Sequence, residues 1–334
     1  MTVHSPPLQD NHPPRKWFDT IMIINLENID YGDAISHPPF STLNYAPYNG
    51  TLLTNYRALT HPSQPNYFAQ VVGDGIVTSD DIATINTRCI VDLLEEKGIS
   101  WASYAEGYPD NWSDDKPYLN EHTPNGKYVR RHVPLVSITS IQENPERARN
   151  IKSGEAFQRD LQAGTLPQYI YYTPDQDNNA HDTNIRYAGQ YISEFLYPFS
   201  LGFCIDFDET AFWVGKNRVA TWLLGTAVNS NPLPSHLKSS QRTQSIVSLN
   251  SVKSHAPRHP PVDTSATAND SGAVQLISLL GSAFKTPIAE KGYTDKGKFD
   301  HFSILKTVEE NWFLGNLGRK DVTATSFGAL LHEV

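Results

Sequence analysis

The chain runs to 334 residues, 39% of them hydrophobic and 19% charged, with 6 Trp, 16 Tyr and 14 Phe, which excludes a disordered or collagen-like polypeptide and leaves room for one or two packed domains. Acidic residues outnumber basic ones by 36 to 27, so the net charge of −9 supplies no general pull toward nucleic acid or an anionic membrane, and an anionic substrate needs a local cation. The two cysteines, Cys89 and Cys204, form no Cys-x-x-Cys pair, which argues against a thiolate zinc site and a disulfide framework but leaves hard oxygen ligands open.

Residues 1–17 contain prolines and no apolar run, and are expected to form an N-terminal tail ahead of a single domain spanning 18–334. The same stretch lacks the apolar core of a secretory signal, so the expected location is cytoplasmic, or secreted if a signal has been removed. No later segment reaches the roughly 18 apolar residues of a membrane span.

Phe18 to Leu26 is an apolar, β-branched run that stops at Glu27-Asn28, as a buried parallel strand does at its carboxyl end. Pro62 and Pro65 pin the backbone around Ser63 just before the helical run Tyr67 to Val72, which places Ser63 at a helix N-terminus. Thr87 to Lys97 sets Ile90, Leu93 and Leu94 on one helical face, with Thr87 as the expected N-cap and Gly98 as the stop. Strands are expected at Ile99–Tyr104, Gln168–Thr173, Leu201–Phe207 and Asn217–Leu224, and helices at Ser153–Gln162 and Thr183–Leu196. Residues 229–272 turn to Ser, Pro, Gln and Asn and read as an insertion that cannot bury itself. Ser303 to Phe313 closes the pattern as a helix, with Ser303 as its candidate N-cap. Strands alternating with helices give the expected fold class, α/β with a mostly parallel central sheet and helices on both faces.

Functional groups of such sheets collect at strand ends. Glu27-Asn28 after the first strand and Asp208-Glu209 after the strand Leu201–Phe207 supply up to three carboxylates and an amide, the outline of an oxygen-rich cation site. Taken alone, each acidic pair reads more often as solvated surface than as a ligand set. The amides and dipole at a helix start favour an anion beside Ser63 and ease formation of its alkoxide, although a serine there more commonly just caps the helix. His132 follows Arg130-Arg131, His181 ends a polar strand-to-helix loop, and His301 precedes the last helix, so three histidines and a cation are available to a phosphate-like group if they converge. His255 and His259 straddle Pro257 and read as loop residues.

In order along the chain, Leu26-Glu27-Asn28-Ile29-Asp30-Tyr31, Leu53-Thr54-Asn55-Tyr56, His61-Pro62-Ser63-Gln64-Pro65-Asn66-Tyr67, Tyr128-Val129-Arg130-Arg131-His132, Pro174 through His181-Asp182-Thr183, Phe207-Asp208-Glu209, Asn217-Arg218-Val219, His301-Phe302-Ser303 and Asn311-Trp312-Phe313-Leu314-Gly315 resemble the phosphoesterase family of acid phosphatases and bacterial phospholipases C, most closely its fungal acid-phosphatase-like branch. The resemblance implies an alkaline-phosphatase-like fold and a metal-dependent phosphoric-ester hydrolase working through a phosphoseryl intermediate on Ser63. It assigns Glu27, Asn28, Asp208 and Glu209 to a divalent metal, magnesium first, with calcium, manganese, zinc or iron as alternatives. His181 and His301 would contact the phosphoryl group or help the leaving group. His61, Asn66, Arg131, His132 and Asp182 would support substrate binding. The implied partner is a small phosphate ester, with no nucleic acid and no membrane span. One departure stands out: Asn178-Asn179-Ala180 occupies the place where the family reads Asn-Asp-Gly. That change leaves two other readings, an intracellular biosynthetic lyase, cyclase or non-phosphate hydrolase reusing the metal site, as in secondary metabolism, or a catalytically inactive binding protein.

Overall fold

The computed structural model describes residues 13–45, 47–81, 84–109, 119–196, 202–211, 216–228 and 293–333. These all belong to one unit built from Met1–Ser230 and Lys291–Val334. The expected insertion at 229–272, with His255 and His259, lies outside the described residues, as does most of the 1–17 tail.

Among the described residues, a nine-stranded sheet organises the unit. The strands are β1 (Ile21–Leu26), β2 (Thr51–Arg57), β3 (Trp101–Ala105), β4 (Ile151–Ser153), β5 (Tyr169–Thr173), β6 (Gly202–Phe207), β7 (Arg218–Leu224), β8 (Thr294–Asp295) and β9 (Phe299–Asp300), in the order β4-β3-β5-β1-β6-β7-β2-β8, with β9 also on β2. From β4 through β6 every pairing is parallel, while β7 runs antiparallel to both β6 and β2. The expected mostly parallel α/β sheet is therefore present. Every residue of β1 is buried, with no alternation, because both faces of the sheet are covered.

The helices are α1 (Tyr31–Ser36), α2 (Gln64–Val72), α3 (Ile90–Glu96), the single turns α4 (Thr139–Gln142) and α5 (Pro145–Ala148), α6 (Gly154–Ala163), α7 (Ile185–Leu196) and α8 (His301–Asn311). Two N-caps differ from expectation for the same reason. Cys89, not Thr87, caps α3, and Asp300, not Ser303, caps α8, because each begins a reciprocal capping box whose third helical residue, Asp92 or Ser303, returns a hydrogen bond to the cap's N–H. Strand β2 was not foreseen, since TLLTNYR mixes polar and apolar residues across a register shift between Leu53 and Tyr56. No helix among the described residues is long and apolar enough to cross a membrane.

Candidate active site

Because β1 and β6 are neighbours in register, Leu26 opposite Phe207, the residues that follow them emerge side by side. The Asp208 N–H donates to the Leu26 carbonyl at 2.9 Å, and the Asn28 N–H donates to Asp208 Oδ1 at 3.2 Å from a left-handed backbone with φ 45. Asn28 thus reaches the cluster through its main chain. A third loop, following β5, is tied in by the Glu27 N–H, which donates to the Asn179 carbonyl at 2.8 Å.

Ser63 is the N-cap of α2 by position but not by bonding. Its backbone is already helical (φ −59, ψ −47) and its side chain makes no cap hydrogen bond, which removes the simple capping role. Instead the buried hydroxyl lies 3.2 Å from Glu27 Oε2 and 3.2 Å from Glu209 Oε1, and it also hydrogen-bonds Asp208. One hydroxyl proton serves one of these acceptors at a time.

Three buried carboxyl groups around one serine have few donors to share. Burial, reinforced by the charge of Asp208, pushes Glu27 well above the usual carboxylate range despite the hydrogen bond from Tyr67. Burial pushes Asp208 up to about 6, and burial with the charge of Asp208 pushes Glu209 up to about 9. Asp208 Oδ2 has no hydrogen-bond partner among the described residues. Crowded hard oxygens with one orphaned lone pair fit a divalent cation in chemistry. They do not yet form a cage, for no group of three or more His, Cys, Asp or Glu among the described residues is arranged to hold a metal. Their remaining oxygens are engaged elsewhere, Glu27 Oε1 by Tyr67 and Glu209 Oε2 by His61 Nδ1 at 2.9 Å and Asn66 Nδ2 at 3.4 Å.

The histidines occupy different depths. His132 is buried, stacks on Tyr67 with centroids 5.0 Å apart, and has Nε2 3.3 Å from Glu27 Oε1. Burial, then the nearby Arg131 and His181, hold it well below the ordinary histidine value, so it faces Glu27 as a neutral ring. His181 lies 6.0 Å from His132 between centroids and is more exposed, with Nδ1 2.7 Å from Asp182 Oδ1. Asp182 itself is solvent-facing and reaches the cluster only through His181. His61, whose value burial lowers, bridges Glu209 and Thr210.

His301 sits one layer behind. It is fully buried, Nε2 donates to the Asp208 carbonyl at 2.8 Å, and Nδ1 lies 2.9 Å from Asp206 Oδ2 and 3.1 Å from the Tyr56 hydroxyl, so both ring nitrogens are engaged by protein. Although burial disfavours its cation, Asp206 and the Asp208 carbonyl prevail and raise its value. Asn66 likewise points its amide into the protein, accepting from the Leu59 N–H (2.9 Å) and donating to the Thr60 carbonyl (2.9 Å), and so holds the 59–63 turn. Arg131 lies 3.5 Å from Asp80 Oδ2 and 4.0 Å from Glu121 Oε1 while its charge reaches Glu27 and His132.

Two contributors went unassigned in the sequence. Tyr67 stands one helical turn after Ser63, and Asp206 stands on β6 two residues before Asp208, which follows the strand. Both spacings were readable as signals.

Comparison with known proteins gives the site its relatives. Residues 40–200 match the model described as the Phosphoesterase family. The chain is 33% identical over 315 residues to a probable acid phosphatase of Kluyveromyces lactis, covering 91% of this chain and 60% of that protein. It is also 33% identical over 318 residues to a phosphate-repressible acid phosphatase of Penicillium chrysogenum, covering 92% and 62%. The chain thus spans about six tenths of the length of these curated relatives. Among solved structures, a Vibrio parahaemolyticus protein in the alkaline phosphatase superfamily aligns with a TM-score of 0.46 and 11% identity, covering 93% of this chain and 72% of that one. The resemblance to phosphoesterases and fungal acid phosphatases is borne out.

Proposed function

We propose that this chain hydrolyses small phosphoric esters, with Ser63 Oγ as the nucleophile. The carrying observation is a buried serine hydroxyl at the start of a nine-residue helix, unspent on capping and 3.2 Å from each of two carboxylates at the carboxyl ends of parallel strands. The fungal relatives, both acid phosphatases by name, favour the same reading.

Glu27, Asp208 and Glu209 would hold a divalent cation, magnesium first, with the Asn28 main chain orienting Asp208. When bound, that cation polarises phosphoryl oxygens and stabilises the deprotonated serine. The chain's own residues then divide the proton work. The Ser63 proton passes to a neighbouring carboxylate as Oγ bonds to phosphorus and the ester P–O bond breaks. Asp182 accepts from His181 Nδ1, which leaves Nε2 to deliver a proton to the departing alcohol. Water next attacks phosphorus and the P–Oγ bond breaks; His181 takes up the water proton and the carboxyl returns its own to Ser63, so both groups are restored and ester and water become alcohol and phosphate. At the start of α2 the Gln64 N–H donates to Asp80 Oδ1 (2.9 Å), Pro65 has no N–H and the Asn66 N–H donates to the Ser63 carbonyl (2.9 Å), so the helix offers the phosphoryl anion its dipole and not its first amides. His301 acts through the carbonyl of Asp208 and is a positioning residue in this scheme.

The test is turnover of an aryl phosphate with added magnesium. Ser63→Ala is expected to lower kcat by at least about 10³-fold with an unchanged circular dichroism spectrum. Unchanged turnover in that variant rejects the covalent route.

A further inference from the structure

At the other end of α2 from Ser63, a pair of buried acids plays no part in this chemistry. Glu309, in the third turn of α8, is 1% exposed, and among the described residues neither of its carboxyl oxygens has a hydrogen-bond partner. The group it meets is another carboxyl, Asp321, which is fully buried in the single turn Lys320–Val322 packed on α8. Asp321 cannot swing away. Its Oδ1 accepts from the Arg319 N–H and its Oδ2 from the Leu317 N–H, both at 2.7 Å. A Cβ on Gly73, the left-handed residue that ends α2, would come within 2.8 Å of the same Oδ1. Asp321 therefore has its donors supplied by backbone, Glu309 is reached only weakly by the Leu317 N–H that already serves Asp321, and two acceptors face each other out of water.

Surrounding charges do not supply the missing donor. Lys306 on α8 acts on Glu309 weakly, ranking after burial and Asp321. Arg319 spends its guanidinium on the Val72 carbonyl (2.7 Å) and the Arg88 carbonyl (3.1 Å). Glu310 accepts from Ser326 Oγ at 2.7 Å, and the remaining charged neighbours in sequence are Asp74 after α2 and Lys320 beside Asp321. Two carboxyls, one of them already held by two backbone N–H groups, fall well short of the oxygen ligands a hard divalent cation takes.

We propose that Glu309 and Asp321 form a proton-binding site in which one shared proton, carried on Glu309 and donated to Asp321, fastens the C-terminal turn to α8 and to the end of α2. An unpaired charge buried here would be costly, and a single proton removes it while creating a charge-assisted hydrogen bond. Burial first, then the charge of Asp321, push the Glu309 carboxyl up to about 8. The sign follows directly. Between the ordinary glutamate value and about 8 the folded chain holds a proton that the unfolded chain has lost, so this contribution to stability falls as pH rises through that window and is level above it.

The experiment is thermal or urea unfolding of the full chain from pH 5 to 9, for wild type, Glu309→Gln and Asp321→Asn. The carboxyl cluster at Ser63 is common to all three, so the difference between curves isolates the pair. Wild type is expected to take up about one more proton on folding near pH 6 to 7 than Glu309→Gln does, seen as a steeper decline of its midpoint with pH, and Asp321→Asn, which keeps Glu309 buried but removes the neighbouring charge, is expected to fall between the two. Coincident slopes for wild type and Glu309→Gln overturn the proposal. Should Glu309→Gln fail to fold, Asp321→Asn decides on the same criterion. A calcium or magnesium addition at pH 8 that restores wild type but not Asp321→Asn also overturns it, because the site would then hold a cation and not a proton.

Discussion

Two carboxylate sites at the carboxyl edge of one sheet have opposite fates. Glu106 follows β3, and its two oxygens collect four donors: the hydroxyls of Tyr172 (2.9 Å) and Tyr191 (3.0 Å), the Asp175 N–H (2.9 Å) and Asn178 Nδ2 (2.6 Å). Glu27, Asp208 and Glu209 follow β1 and β6 and crowd one another around a serine, with an orphaned oxygen on Asp208. A cavity of about 400 Å³ opens on the Glu106 side, lined by Lys127, Tyr172, Asp175 and Asn178 among others, yet the carboxylate there is saturated. The lesson is that position at a strand end does not make an acid reactive. Its neighbours do: surrounded by donors it stays charged and fastens a loop, and surrounded by other acids it is pushed toward its neutral form.

The contrast can be broken most forcefully at Asp208. Asp208→Asn is expected to cut phosphate-ester turnover by about 10³-fold or more and to weaken magnesium binding measured by calorimetry, and chelation of wild type should give the same loss, reversed by re-added metal. Activity that survives both treatments would put the two carboxylate sites on the same footing. On the other side, Glu106→Ala should leave the metal affinity near wild type but destabilise the chain by about 2 to 4 kcal/mol, because it strands donors built around a charged acceptor. A third comparison reverses the sign. Glu209→Gln in metal-free protein at pH 7 should stabilise by about 1 to 2 kcal/mol, since the amide is neutral where the acid, pushed up to about 9, must be kept protonated against its ordinary value. A destabilised Glu209→Gln would show that the cluster is not short of positive charge. The smallest effect is expected on the loop that joins the two regions. Ala180 holds φ 85, a left-handed backbone that glycine adopts without a Cβ penalty, so Ala180→Gly should gain roughly 1 kcal/mol in urea unfolding.

Much of this was legible beforehand. Short apolar runs with abrupt polar ends announced β1, β5 and β6, because a strand buried on both faces has no room for alternation, and the polar residue after it marks where the sheet stops. Motif order along the chain pointed to Glu27, Ser63, Asp208 and Glu209 together, and the fold does bring them within reach of one hydroxyl. Strands β8 and β9 were not legible, since two residues carry no periodicity.

Sequence alone determined the elements whose signal is local, namely the buried strands, the amphipathic helices and the residue types collected at their ends. Only the tertiary structure decided which of those residues are free to act. Ser63 could cap its helix or face the acids, and carboxylates arriving from β1 and β6 settle that choice. His301 could meet a substrate or brace the site, and its partner at the Asp208 carbonyl lies 93 residues away in the chain. Hydrogen-bond partners and local dielectric are set by what packing brings near, and no spacing within a segment records them.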